Sequence, residues 1–489
     1  MGPLFTPRYA GTRWSIVYGS YTGVEQTAVN NLQKLVQFFF PHTVSVQTAS
    51  AISLDSPDNL ILAGIPLSNP LIAETLRRCS LPAPTQPEGY TLAACASPFV
   101  GGKRLLLVAG ADAGGVLYGV QELGKILNQK TIFHDRIVRQ DTQALRQEFD
   151  RLEDFTLSDQ PAIQKRCLWT WGYVMRDYRG FIDHMARLKL NLLMIWNDCP
   201  PVNAADVIAY AHRHNVQVVF GFHWGWGDPN LRITNPYDRQ AIQASVLKRY
   251  QVDYQHLDLD GIYFQTLTEH NDTVIDGQTI AGAACQMVND IASELFRLNP
   301  RLKIYFGLHA TSIREHYREL EDLDRRIPIV WEDAGDFPYS YEPVIQSEET
   351  LAKTMEYSRE LVAFRPGTEI ALLTKGWNAL RWDTEFEHHG SFILGEQSPE
   401  AMRQRMELLR PRWEKVNALW FRNYPVAGRF YREMLLVQPA SLTVVGLVED
   451  GLFEAKIQPS VSLLAEMLWN PQRSDDELLK QALSSNYLY

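Results

Sequence analysis

The 489-residue sequence predicts an α/β protein, a (β/α)8 TIM barrel preceded by a small α/β domain, with C-terminal helices packed on the barrel. Three observations lead there. Beyond residue 165, short apolar runs alternate with amphipathic stretches in a repeating order of strand, loop and helix. The runs are too apolar for strands with one wet face, and fit strands of a parallel sheet covered on both sides. The length accommodates one barrel of about 250 residues or more together with one smaller domain.

Residues 1–130 are read as the N-terminal domain, with no catalytic cluster of its own. Trp14–Tyr18 reads as a strand, Gly23–Phe39 as an amphipathic helix and Asn59–Ala63 as a second strand. Gly89–Ala94 and Arg104–Ala109 read as a pair of strands, and Gly115–Leu127 as a closing helix with Val116, Val120, Leu123 and Leu127 on one face. Residues 131–165 are polar and charged without a deep apolar stripe, and are read as a surface connector.

The barrel with its helical extension takes residues 166–489. Its strands are expected at Cys167–Gly172, Asn191–Trp196, Gln217–Phe222, Gly261–Thr266, Leu302–Leu308, Pro328–Trp331, Glu369–Thr374 and Leu442–Val448. Helices are expected at Arg179–Leu188, Ala204–His212, Asp238–Tyr250, Ile280–Phe296, Arg314–Leu323, Glu348–Leu361 and Ala401–Phe421. An open doubly wound sheet would carry a glycine-rich phosphate loop after its first strand, and Trp169–Arg176 offers none.

Composition narrows the function classes. Hydrophobic residues make up 45% of the chain and charged residues 21%, as in a globular protein with a large core. A net charge of -10 argues against nucleic acid as a partner. No apolar run reaches the roughly 18 residues that span a bilayer, so no membrane partner is expected. Met1–Trp14 lacks the pattern of a secretory signal, making a cytoplasmic chain the default and a secreted one the expectation if a signal peptide has been removed. A homodimer is kept open. The five cysteines are scattered and lack a CxxC pair, and are read as free or buried thiols, not as a disulfide framework or zinc site.

In such a barrel, side chains just past the C-terminal ends of the strands face one shared bowl. Pooling them collects Arg176, Trp196, Asn197, Asp198, His223, Trp224, Trp226, Glu269, His270, Asn271, His309, Trp331, Glu332, Asp333, Asp336, Lys375, Trp377 and Arg381. Tryptophan recurs at these positions, also as Trp171, and a flat apolar ring face beside carboxylates and amides suits a pyranose. Carboxylates arrive from different strands, so two can flank a glycosidic bond as acid and as base or nucleophile. Glu269, beyond the strand Gly261–Thr266 in a polar run amid tryptophans able to raise its pKa, is the candidate general acid. Asp336, Glu332 and Asp333 are the candidates for base, nucleophile or orienting group. Arg176, Asn197, Asp198, His223, Trp224, Trp226, His270, Asn271, His309, Trp331, Lys375, Trp377 and Arg381 are read as substrate-binding. His223, His270 and His309 could suggest a metal site, but no HxH pair follows strand one, so neither metal nor cofactor is expected.

The run Ala109-Gly-Ala-Asp-Ala-Gly-Gly-Val-Leu-Tyr-Gly-Val-Gln-Glu-Leu resembles the start of the closing helix in the small domain of family 20 hexosaminidases and family 67 α-glucuronidases. Phe181–Trp196 is similar to the first helix and second strand of their barrels. The resemblance covers most of the chain loosely and implies a divergent, exo-acting glycoside hydrolase with a glycan or glycoconjugate as substrate. It gives Glu269 the place of the general acid after strand four and Arg176 that of the arginine gripping the terminal sugar in family 20. Where family 20 has an aspartate before its acid, this chain has Thr268; Asp336 resembles the family 67 aspartate, without the glutamate expected near Lys375–Trp377. A β-N-acetylhexosaminidase acting on GlcNAc or GalNAc is the first expectation. α-Glucuronidase or exo-sialidase activity on an acidic terminal sugar, and a non-catalytic carbohydrate-binding barrel, remain as alternatives.

Overall fold

The computed structural model describes residues 13–39, 44–53, 55, 58–133, 153–197, 199–270, 272–378, 390–438, 442–449 and 459–485. Asp198, Asn271 and Arg381 lie outside the described residues. The chain divides into two compact units, residues 1–160 and 161–487.

The first unit contains β1 (Trp14–Tyr18), α1 (Gly23–Phe39), β2 (Ser45–Thr48), β3 (Asn59–Gly64), α2 (Pro70–Arg78), β4 (Tyr90–Ala96), β5 (Arg104–Gly110), α3 (Ala113–Phe133) and β6 (Phe155–Asp159). They build a six-stranded sheet in the order β2-β1-β3-β5-β4-β6. The first four strands of that order run parallel, while β4 is antiparallel to both its neighbours. Three elements escape the sequence reading: β2, α2 and β6. α2 starts at Asn69, whose side chain accepts from the Leu71 amide, with Pro70 at the first helical position. β6 falls in the stretch read as a connector; its residues alternate only between half-buried and exposed, the faint signature of an edge strand.

The second unit contains β7 (Lys165–Trp171), α4 (Tyr178–Arg187), β8 (Leu192–Trp196), α5 (Ala204–Arg213), β9 (Gln217–Gly221), α6 (Pro236–Arg249) and β10 (Gly261–Phe264). A two-stranded hairpin of β11 (Val274–Ile275) and β12 (Gln278–Thr279) follows, then α7 (Ile280–Leu298), β13 (Ile304–His309) and β14 (Ile329–Glu332). α8 (Glu348–Ala363), β15 (Ile370–Trp377), α9 (Pro399–Val437), β16 (Leu442–Val448), α10 (Pro459–Trp469) and α11 (Asp475–Ser485) complete it. The strands close into the barrel β10-β13-β14-β15-β16-β7-β8-β9. This is the predicted (β/α)8 barrel. No helix among the described residues is long and apolar enough to cross a membrane.

Strand pleating divides the barrel's side chains into two sets. Leu168, Ile195, Phe220, Phe264, Phe306 and Trp331 point outward into the helix layer. Cys167, Trp169, Trp171, Met194, Trp196, Tyr263, Tyr305 and Leu373 fill the lumen. Residues of the inward set at the C-terminal rim therefore define the floor of any site.

Two helices differ from expectation. Arg314–Leu323 is not an α-helix: Ala310–Ile313 and Tyr317–Asp322 are short 3-10 turns. α9 runs well past Phe421 and contains both Pro411 and Pro425. Burial of Leu409, Trp413, Trp420, Ala427, Phe430 and Met434 along one side compensates the backbone bonds these prolines remove.

Candidate active site

Five polar side chains meet at the C-terminal rim of neighbouring strands. His309 ends β13, Glu332 ends β14 with Asp333 next, Lys375 lies near the end of β15, and Glu269 lies on the loop after β10. Lys375 Nζ donates to Asp333 Oδ1 at 2.7 Å and stands 3.6 Å from Glu332 Oε2. His309 Nδ1 lies 2.5 Å from Asp333 Oδ2. The other ring nitrogen, Nε2, faces Glu332 Oε2 at 3.8 Å and Glu269 Oε2 at 3.9 Å.

Glu332 is held from beneath. Its Oε1 accepts from the Tyr263 hydroxyl at 2.6 Å and from Gln265 Nε2 at 2.7 Å, and only 3% of the residue is exposed. Glu269 stands at the mouth, with 54% of its side chain exposed and its Oε2 accepting from Trp226 Nε1 at 3.2 Å. Of the tryptophans expected around it, Trp226 is the one bonded to it among the described residues. Gly225 and Gly227, both at φ 84°, present Trp226 on a tight turn. The Ser312 hydroxyl lies 2.5 Å from the Thr268 carbonyl and 2.9 Å from that of His309, joining the two segments that carry Glu269 and His309.

Charge coupling fixes the protonation of this group. Burial works against a charged His309, but the Glu332 carboxylate and the bond to Asp333 outweigh it and raise the imidazole to about 9. Burial likewise opposes a charged Asp333, yet His309 and the Lys375 ammonium hold it down at about 2. Lys375 is pushed above its ordinary value: Glu332 and Asp333 prevail over burial. Asp333 adopts φ 49°, a left-handed conformation costing on the order of 1 kcal/mol, kept in place by its bonds to His309 and Lys375. His309, Glu332 and Asp333 offer ligand atoms within 4.8 Å of one another, a set that a divalent cation could use. The Lys375 ammonium already supplies positive charge there, bound to Asp333 and close to Glu332.

The other predicted residues are not among these contacts, and three of them face outward. Trp331 and Trp224 are fully buried in the outer set, Trp224 stacking on Phe264 with ring centres 3.6 Å apart. Trp377 is turned outward by a bulge between Thr374 and Trp377, with Gly376 at φ 99°, and stacks on Trp420 at 3.8 Å. All three pack under helices instead of facing the bowl. Trp171 and Trp196 do point inward and, with Trp169 and Tyr263, pave its floor. Asn197 is 1% exposed and lies against Gly172. Arg176 donates to the Tyr173 carbonyl at 3.0 Å. His270 is exposed and His223 half-buried. The Asp336 amide donates to Thr354 Oγ1 at 2.9 Å, tying that segment to α8. Tyr263, Gln265 and Tyr341, whose ring centre lies 4.7 Å from Lys375 Nζ, were not singled out from sequence. The first two were within reach, because they alternate with the apolar Ile262 and Phe264 in an expected strand.

No family model and no curated protein matches the chain. Among solved structures it is similar to the glycoside hydrolase family 84 protein CpGH84B, with TM-score 0.51 and 12% identity over 96% of this chain and 70% of that one. It is also similar to a GH138 enzyme targeting pectin rhamnogalacturonan II, with TM-score 0.51 and 11% identity over 95% of this chain. The chain spans about half of that enzyme's length, 51%. A third is the chitobiase of Flavobacterium johnsoniae, with TM-score 0.50 and 9% identity over 98% of this chain and 69% of that one. At these identities the likeness is one of fold.

Proposed function

We propose that this chain is an exo-acting glycoside hydrolase that removes a terminal N-acetylhexosamine, with Glu269 as general acid and Glu332 as its anionic partner. One observation carries the reading: carboxylates from two separate strand ends converge on a single nitrogen, His309 Nε2, at 3.9 and 3.8 Å. Their nearest oxygens are therefore no more than about 8 Å apart, within reach of the roughly 5–9.5 Å separations at which paired carboxylates flank a glycosidic bond. Glu269, exposed at the mouth, can hand its proton to the departing sugar oxygen. Glu332, fixed by Tyr263 and Gln265, faces the anomeric carbon either as nucleophile or as base for the attacking water. Asp333, bonded to both His309 and Lys375, orients the imidazolium and leaves the bond breaking to the two glutamates.

The fold shared with glycoside hydrolases supports the reaction class, and the chitobiase among them is the ground for choosing an N-acetyl sugar. Charge supports a sugar without a carboxylate. Among the described residues, the cations gathered in this cluster, Lys375 and His309, are already matched to Asp333 and Glu332, whereas a uronate or sialate calls for a cation of its own.

The test is a panel of chromogenic N-acetylhexosaminides, glucuronides and sialosides, assayed with the wild type and Glu269→Gln. Turnover of the N-acetylhexosaminides that the substitution abolishes, with sugar binding kept, supports the reading. Turnover confined to acidic glycosides overturns the sugar, unchanged turnover removes Glu269, and binding without turnover in the wild type makes the barrel a carbohydrate-binding module.

A further inference from the structure

Two of the five cysteines meet in the first unit, which holds none of the carboxylate cluster. Cys79 is the C-cap of α2 and Cys95 lies on β4, and their Sγ atoms stand 3.9 Å apart, in contact but unbonded. Both residues are partly exposed, whereas Cys167 and Cys285 are buried. A second observation concerns the backbone around them. Arg78, beside Cys79, donates from Nη1 to the Pro98 carbonyl at 3.1 Å, and its guanidinium lies 5.5 Å from the centre of the Phe99 ring. Pro98 and Phe99 belong to the turn that follows β4. The end of α2 is thus already fastened to the turn that follows β4, and the gap left to close runs from 3.9 Å to a bond of about 2.05 Å.

We propose that Cys79 and Cys95 form a redox-labile pair that closes to a disulfide when the chain meets a low-molecular-weight disulfide such as oxidised glutathione. Burial and the neighbouring sulfur push the Cys95 thiol up to about 12, which suits Cys95 to the second step. The Cys79 thiolate displaces one glutathione thiolate and forms a mixed disulfide. Cys95 then gives up its proton and attacks the Cys79 sulfur, releasing the second glutathione. Two protein thiols are oxidised, one glutathione disulfide is reduced to two thiols, and the electrons balance. The bridge spans 16 positions and braces α2 against β4.

The experiment incubates the full chain across a series of reduced and oxidised glutathione mixtures, blocks remaining thiols with N-ethylmaleimide and maps the digest by mass spectrometry. The expected result is a Cys79–Cys95 cross-linked peptide that grows with the oxidised fraction and disappears on reduction, while Cys167 and Cys285 react only after unfolding. In Cys79→Ser, Cys95 is expected to remain unlinked. Separate capping of Cys79 and Cys95 by glutathione or maleimide throughout the series, or a cross-link that recruits Cys199, overturns the proposal.

Discussion

His309 Nδ1 lies 2.5 Å from Asp333 Oδ2, and this contact, together with the nearby Glu332 carboxylate, raises the imidazole against the effect of burial. With one nitrogen bound to a carboxylate, the ring presents its other N–H toward Glu269 and Glu332. Raised to about 9, it stays an imidazolium through neutral pH and offers a fixed positive donor between the two glutamates.

The pH dependence of stability follows from the signs of these shifts. His309 is raised, so its contribution is complete below its unfolded value of about 6.5 and is lost as pH rises through about 9. Asp333 is lowered, so its contribution is present above about 4 and is lost as pH falls through about 2. Urea midpoints measured across pH are expected to decline on the basic side as pH passes from about 7 to 10, and His309→Gln is expected to remove that decline. A variant with the same basic limb as the wild type would detach it from His309.

Glu269→Gln and Glu332→Gln are expected to lower kcat by about 10²-fold or more, with different dependence on the leaving group. Loss of the acid matters least for aryl glycosides whose phenolate departs unprotonated, so Glu269→Gln should recover rate as the leaving group improves. Glu332→Gln should not. Equal recovery in both variants contradicts the assignment of roles.

Lys375→Met removes the ammonium, only 2% exposed, that Asp333 and Glu332 share, and leaves them the His309 imidazolium alone. A loss of about 3–5 kcal/mol is expected in denaturant unfolding. The loss should shrink when Asp333→Asn is added, because the double variant removes one of the carboxylates that lost its ammonium.

The tryptophans separate by burial. Trp377→Ala removes a fully buried ring stacked on Trp420 and is expected to cost about 3–5 kcal/mol of stability without altering KM in the folded fraction. Trp226→Phe keeps a ring at the mouth but deletes the N–H that Glu269 accepts, so stability should stay within about 0.5 kcal/mol while kcat falls roughly tenfold. Reversed outcomes would place Trp377 at the site and Trp226 in the packed interior.

The sequence by itself determined the eight apolar strand runs, and with them the barrel and the rim where Glu269, His309, Glu332, Asp333 and Lys375 gather. Burial on both faces leaves no alternative environment for such runs, so their identity is written locally. Tertiary structure alone decided which rim residues face inward. Trp331 and Glu332 are neighbours in sequence, yet pleating sends the indole under the helices and the carboxylate into the bowl. At Trp377 a bulge overrides even that alternation, which no count of residues anticipates. The hydrogen bonds that fix Glu332 and the charges that hold His309 protonated join side chains from different strands, and these come within reach only when the sheet closes on itself.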